Sequence, residues 1–198
     1  MIENYAVTTI DLLRHGKPEG GDIFRGFTDV ALSDEGWQQM REAVEHAAGW
    51  TQVVCSPLQR CQAFAENLTE HVSVNEGLAE ISFGDWDGKT FKAISEQHKD
   101  LFDGFWQDPI ANTPPNAEPM LDFCERVQRA FWQTVSSFEG QHVLMVVHGG
   151  VIRAILQDVL KSDVKALMCY EVPYASISRI KVYHDDSGTY PQLVFHNR

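Results

Sequence analysis

No apolar run in this sequence is long enough to cross a bilayer: the longest aliphatic stretch, Val143 to Val147, falls far short of the roughly 20 residues required. The N-terminus, MIENYAVTTIDLLR, lacks a basic segment and a cleavable apolar core, so secretion and membrane insertion are not expected. Basic charge is also scarce. Sixteen Lys and Arg against 28 Asp and Glu leave −12, a balance that repels nucleic acid and anionic lipid. Cysteine is sparse, and Cys55, Cys61, Cys124 and Cys169 form no C-x-x-C pair. Set in apolar surroundings, they fit reduced core residues of a cytoplasmic chain rather than a zinc or disulfide framework. Repeats, linkers and low-complexity segments are lacking as well. With 43% hydrophobic and 22% charged residues, disorder is excluded.

What is present fits one domain spanning residues 1–198. Val7 to Leu13 is β-branched and apolar and ends abruptly at Arg14-His15-Gly16, a buried strand feeding a loop. The loop from Gly16 to Leu32 is long and without helical period, which marks a functional segment. Ser33 caps a helix with Trp37, Met40, Val44 and Ala47 on one face, and Val53-Val54-Cys55 is a short strand. Ser56-Pro57 predicts a helix starting there, with Leu58, Cys61, Ala65 and Leu68 inward, followed by a strand near Val72 to Val74.

Residues 77–119, rich in aromatics and prolines, are expected to form a capping insertion of short helices and loops. A long helix over Met120 to Phe138 precedes the strand Val143 to Val147. His148-Gly149-Gly150 then turns into a buried helix carrying Val151, Ile152, Ile155, Leu156, Val159 and Leu160. Ser176 to Tyr183 and Gln192 to Phe195 read as edge strands. This alternation predicts a three-layer α/β/α sandwich with a mostly parallel central sheet.

Ligands of such sheets bind beyond the carboxyl ends of the strands. Arg14 and His15 follow the first strand, Ser56 and Arg60 the second, and His148 the strand Val143 to Val147. Helical side chains lean toward the N-terminus, so Arg60 is aimed back at the strand ends. Two guanidiniums can grip one phosphate bidentately, and the helix opening at Gly149-Gly150 adds backbone N–H groups. A neutral imidazole between them can attack phosphorus if its other nitrogen is fixed as a donor, and a second histidine, if protonated, would stabilise the developing charge. Glu80, in apolar company, is the candidate general acid for the leaving alcohol. His46, His71, His98, His142, His184 and His196 are expected at the surface, and Asp85 and Asp87 lack further ligands, so no metal or other cofactor is expected.

At these residues the sequence resembles the histidine phosphatase superfamily, also called phosphoglycerate mutase-like. The matching motifs are Leu13-Arg14-His15-Gly16, Ser56 to Ala63, Glu80 with Phe83-Gly84-Asp85-Trp86-Asp87-Gly88, and Val147-His148-Gly149-Gly150. The resemblance implies a phosphohistidine on His15, a phosphate pocket of Arg14, Arg60 and His148, and Glu80 as proton donor, without a metal. Arg25-Gly26 falls where relatives place a phosphate-contacting pair, and Gly149 joins them as a substrate-binding residue.

Within the superfamily, the chain looks most like the alpha-ribazole phosphatases of cobalamin assembly. The Phe-Gly-Asp-Trp after the acid and the Phe123-x-x-Arg126-Val127 helix carry that likeness. Lys17 stands where many relatives have Glu, and Asn116-Ala117-Glu118-Pro119 replaces a commoner Gly-Glu-Ser, departures that bear on the substrate. The expected partner is a small-molecule phosphate ester, with a homodimer left open. The rivals are a broad-specificity sugar-phosphate phosphatase, a phosphoglycerate mutase, for which 198 residues leave little covering insertion, and a non-catalytic phospho-ligand binding module.

Overall fold

A computed structural model describes residues 5–45, 47 and 49–198. Strand β1 (Ala6–Arg14) leads through the long loop to α1 (Asp34–Glu45), which Ser33 caps as expected, its Oγ accepting from Gly36 N at 3.0 Å. β2 (Gln52–Cys55), α2 (Gln59–Leu68) and β3 (Val72–Val74) follow. Single-turn helices at Glu76–Leu78 and Gly84–Trp86 precede α3 (Phe91–Gln97) and α4 (Lys99–Gln107). Then come α5 (Met120–Ser137), β4 (His142–Val147), α6 (Gly149–Val159), a tight helical segment Val164–Cys169, β5 (Ile177–Asp185) and β6 (Gly188–Phe195).

The six strands form one sheet in the order β3-β2-β4-β1-β5-β6, parallel from β3 to β1 and antiparallel beyond. Strand periodicity divides the core between two layers. Val143, Met145 and Val147 of β4 pack with α5 and α6, whereas Leu144 and Val146 pack with α1 and α2. The expected sandwich is thus the observed one. Among the described residues no helix is long and apolar enough to cross a membrane.

Several local expectations fail, each because a distant partner outweighs a local signal. β5 is interior, paired with both β1 and β6, so only the second of the two late runs is an edge. The helix does not start at Ser56-Pro57: α2 begins at Gln59, whose N–H donates at 2.8 Å to Asp29 Oδ1 from the long loop. Leu68 and Leu160 lie exposed at helix ends, and Cys169 is exposed while the other cysteines are buried. Of the histidines expected at the surface, His142, His184 and His196 are half-buried and hydrogen-bonded, and His46 lies outside the described residues. His142 belongs to a cluster around the buried Asp11, which accepts from Trp50 Nε1 at 2.7 Å and from Arg179 Nε and Nη2 at 2.7 and 2.8 Å.

Candidate active site

Strand register brings the polar residues to one level. Arg14 pairs with Val147 and Cys55 with Val146, so the residues that follow, His15, His148 and Ser56, emerge together at the carboxyl edge. The His15 and His148 rings stand edge to face with centroids 5.1 Å apart. His15 is 5% exposed, and its Nδ1 lies 2.8 Å from Gly16 O. A carbonyl only accepts, so Nδ1 carries the hydrogen and Nε2 keeps a free lone pair. Burial, then the positive charges of Arg60 and Arg14, hold the His15 pKa well below its ordinary value. The ring is therefore neutral.

His148 is neutral for the same causes, burial first and Arg60 next. The charge stabilisation read for a second histidine is conditional on a proton that the free site disfavours. Its Nε2 lies 2.6 Å from Ser56 Oγ and its Nδ1 accepts from Arg60 Nε at 3.2 Å. Arg60 is fully buried, and its terminal nitrogens donate to the carbonyls of Thr28, Arg25 and Gly26 at 3.0–3.3 Å. Each terminal nitrogen bears two hydrogens, so these bonds tie down the long loop without exhausting the guanidinium. Cys61 Sγ packs at 3.6–3.7 Å from the His148 ring nitrogens, and burial pushes its thiol pKa well up.

Arg14 donates through Nη1 to Val172 O, while its buried Nε has no partner among the described residues. Arg25 repeats the pattern: Nη2 donates to Glu19 O and Gly21 O at 2.8 and 2.6 Å, and its buried Nε is likewise unpartnered. Two orphaned guanidinium donors at one edge form a site built for an anion. Gly149 begins α6 against Arg14; a Cβ there would stand 3.3 Å from Arg14 Nε. Gly26, by contrast, gives its N–H to Asp87 Oδ1 at 2.6 Å and does not offer it to a ligand. The Asp85 and Asp87 carboxylates are spent on protein donors, Asp85 accepting from Asn116 Nδ2 at 3.0 Å. Among the described residues no cluster of three or more His, Cys, Asp or Glu is arranged to hold a metal.

Glu80 lines a cavity of about 170 Å³ together with Phe83, Phe105, Trp106, Met120, Leu167 and Arg153. Its Oε2 accepts from Gly150 N at 3.0 Å and its Oε1 from Ile81 N at 3.1 Å. A Cβ on Gly150 would overlap the Glu80 carboxylate, so only glycine lets the acid dock on the helix start. Arg126 fixes the acid's loop from α5, donating to Gly77 O and Ala79 O at 3.0 Å while Glu118 clasps it bidentately at 2.8–2.9 Å. Among the aromatics of residues 77–119, Trp86 is buried against Phe24, Phe102 and Phe105 as core.

Gly150, expected with Gly149 to offer its N–H to phosphate, gives it to Glu80 instead, and Arg153 and Tyr174 border the site although motif reasoning passed over them. An arginine one turn after Gly149, within the apolar stretch Val151 to Leu156, was the legible signal for Arg153. Tyr174 had none: its ring covers the Arg14 guanidinium at 4.1 Å from a loop 160 positions downstream.

The family model for the histidine phosphatase superfamily (branch 1) matches residues 10–193. The bifunctional protein Rv2228c of Mycobacterium tuberculosis is 32% identical over 191 residues, covering 92% of this chain and 52% of that protein. The chain thus spans about half the length of the curated relatives it matches first. A Hydrogenobacter thermophilus protein provisionally named phosphoserine phosphatase 2 is 34% identical over 153 residues, 73% of this chain and 75% of that one. Among solved structures, the alpha-ribazole phosphatase of Shigella flexneri superposes with a TM-score of 0.82 at 22% identity, covering 96% of both chains.

Proposed function

The chain belongs to the histidine phosphatase superfamily, and from that membership we propose that it hydrolyses phosphomonoesters through a phosphoryl group carried on His15 Nε2. The observation that carries this reading is the neutral, buried His15 imidazole, tied by Nδ1 to Gly16 O beneath two guanidiniums with unpartnered donors. The Nε2 lone pair attacks phosphorus as the ester P–O bond breaks, and the Glu80 carboxyl gives its proton to the departing alkoxide. Water then attacks the phosphohistidine, passing a proton to the Glu80 carboxylate; the P–N electrons return to Nε2 and inorganic phosphate leaves. Arg14, Arg60 and the α6 start at Gly149 hold the phosphoryl oxygens, with Arg25 at the rim, while His148, engaged by Arg60 at Nδ1 and by Ser56 at Nε2, orients Arg60 beneath them. Gly26 contributes by letting the loop pack, not through its N–H.

Residues 77–119 serve in this reading as a cap that shapes the leaving-group cavity. Two leaving groups compete for it. The aromatic walls Phe83, Phe105 and Trp106 support a planar base, as in alpha-ribazole 5′-phosphate, the substrate the Phe83-to-Trp86 motif suggests. Arg153 supports instead an alcohol bearing an anionic group: its Nε is held by Tyr170 O at 2.9 Å, and its charge faces Glu80 and the cavity. Comparing kcat/KM for alpha-ribazole 5′-phosphate, ribose 5-phosphate and phosphoserine separates them. A base-bearing ester no better than ribose 5-phosphate removes the ribazole reading.

The reaction itself is tested on p-nitrophenyl phosphate with excess EDTA and by base quench followed by ³¹P NMR. A phosphohistidine in the wild type, its loss with all turnover in His15→Ala, and indifference to EDTA are expected. Turnover retained in His15→Ala ends the proposal.

A further inference from the structure

Tyr174 stands at the open side of the phosphoryl pocket, 37% exposed, its ring stacked 4.1 Å from Arg14 Cζ and 5.8 Å from the His15 ring. Its hydroxyl lies beside Arg25. The turn that carries it is built onto the nucleophile's own strand end. Val172 O takes Arg14 Nη1, Ala175 N donates to His15 O at 3.3 Å, and Arg14 N donates to Ser176 O at 3.1 Å. Ser176 closes the turn, its N and Oγ both bonding Pro173 O at 3.2 and 2.8 Å. Ala175 is held at φ 56°, a left-handed conformation that a residue with a Cβ adopts only under outside constraint. Here the constraint delivers the tyrosine ring over the arginine.

Resting on the phosphoryl-transfer reading, we propose that Tyr174 is a positioning residue that holds the Arg14 guanidinium flat and aimed, so that its unpartnered Nε meets a phosphate oxygen above His15. An arginine has many rotamers, and a free one must surrender them when it captures an anion. Pinned by Val172 O at one nitrogen and by the Tyr174 ring across its face, Arg14 surrenders them on folding instead. Phosphate then binds a ready-made donor. Arg60 achieves the same order through three loop carbonyls and His148, but Arg14 has one carbonyl and needs the ring.

The test is orthophosphate affinity by titration calorimetry in the wild type, Tyr174→Leu, Tyr174→Phe and Tyr174→Trp, with thermal melts alongside. Tyr174→Leu should weaken orthophosphate about tenfold and raise KM for p-nitrophenyl phosphate in proportion, with a smaller change in kcat. Tyr174→Phe and Tyr174→Trp keep the ring face and should stay within about threefold of wild type. Equal affinity in Tyr174→Leu overturns the positioning role while leaving the phosphatase reading intact. Equal loss in Tyr174→Phe overturns it too, by assigning the effect to the hydroxyl. A wild type that binds no orthophosphate removes both readings.

Discussion

Arg60 Nε donates to His148 Nδ1 at 3.2 Å, and because a guanidinium can only donate, this bond fixes the tautomer of a fully buried imidazole. The His148 hydrogen must sit on Nε2, directed at Ser56 Oγ 2.6 Å away. Ser56 is therefore the acceptor that sets which way the second histidine faces.

Ser56→Ala leaves that buried Nε2–H with only the weakly accepting Cys61 sulfur 3.6 Å away, a cost of about 1–3 kcal/mol. Denaturant melts should show a loss of that size, with kcat/KM on p-nitrophenyl phosphate down about tenfold. Wild-type stability in the variant means that the hydrogen is carried elsewhere.

The two depressed histidines make stability pH-dependent. Unfolded, each takes up a proton near pH 6.5; folded, burial and the neighbouring arginines keep it neutral to well below that. The unfolded chain thus binds more protons on the acid side, and unfolding free energy should fall as pH drops below about 6.5. His15→Asn removes one titrating group and should flatten the fall between pH 7 and 5. An unchanged slope contradicts a depressed His15.

Glu80→Gln should cost alkyl phosphates about 100-fold in kcat, in keeping with the usual reach of general acid catalysis, and nitrophenyl phosphate less than tenfold, because nitrophenolate leaves without a proton. Gly150→Ala should reproduce this selectivity, since its new Cβ occupies the place of the Glu80 carboxylate. Equal losses on both esters in either variant argue against a proton donor at this position.

Midway along β1, burial pushes the Asp11 pKa up, but the hydrogen bonds from Arg179 and Trp50, the Arg179 charge and the His142 contact outweigh it and leave it lowered. Its stabilisation is present above the unfolded value near 3.9 and is lost as pH falls through the folded one. Asp11→Ala leaves its half-buried donors without their acceptor and should cost about 3 kcal/mol at pH 7, read by urea melts. The folded fraction should keep its turnover. A drop in kcat with unchanged stability would instead tie this cluster to the site.

Much of the molecule is legible in local pattern. Continuous apolar runs specify β1 and β4, Ser33 announces α1, and the polar residues following Leu13, Cys55 and Val147 mark the carboxyl edge of the sheet as the candidate site, because strand formation and caps depend on near neighbours. The pairing of the late strands was less so, since an alternating run looks alike at an edge and inside a sheet. What only the tertiary structure decided are the partners of polar side chains. The Gly26 N–H goes to Asp87 rather than to a ligand, Arg126 reaches back 47 residues to the loop of Glu80, and Arg14 is fixed by a carbonyl 158 residues downstream. A buried donor must be satisfied, but by whichever acceptor the folded chain brings within 3 Å. No spacing in the sequence encodes that choice; it emerges when the strands align and the loops close over their ends.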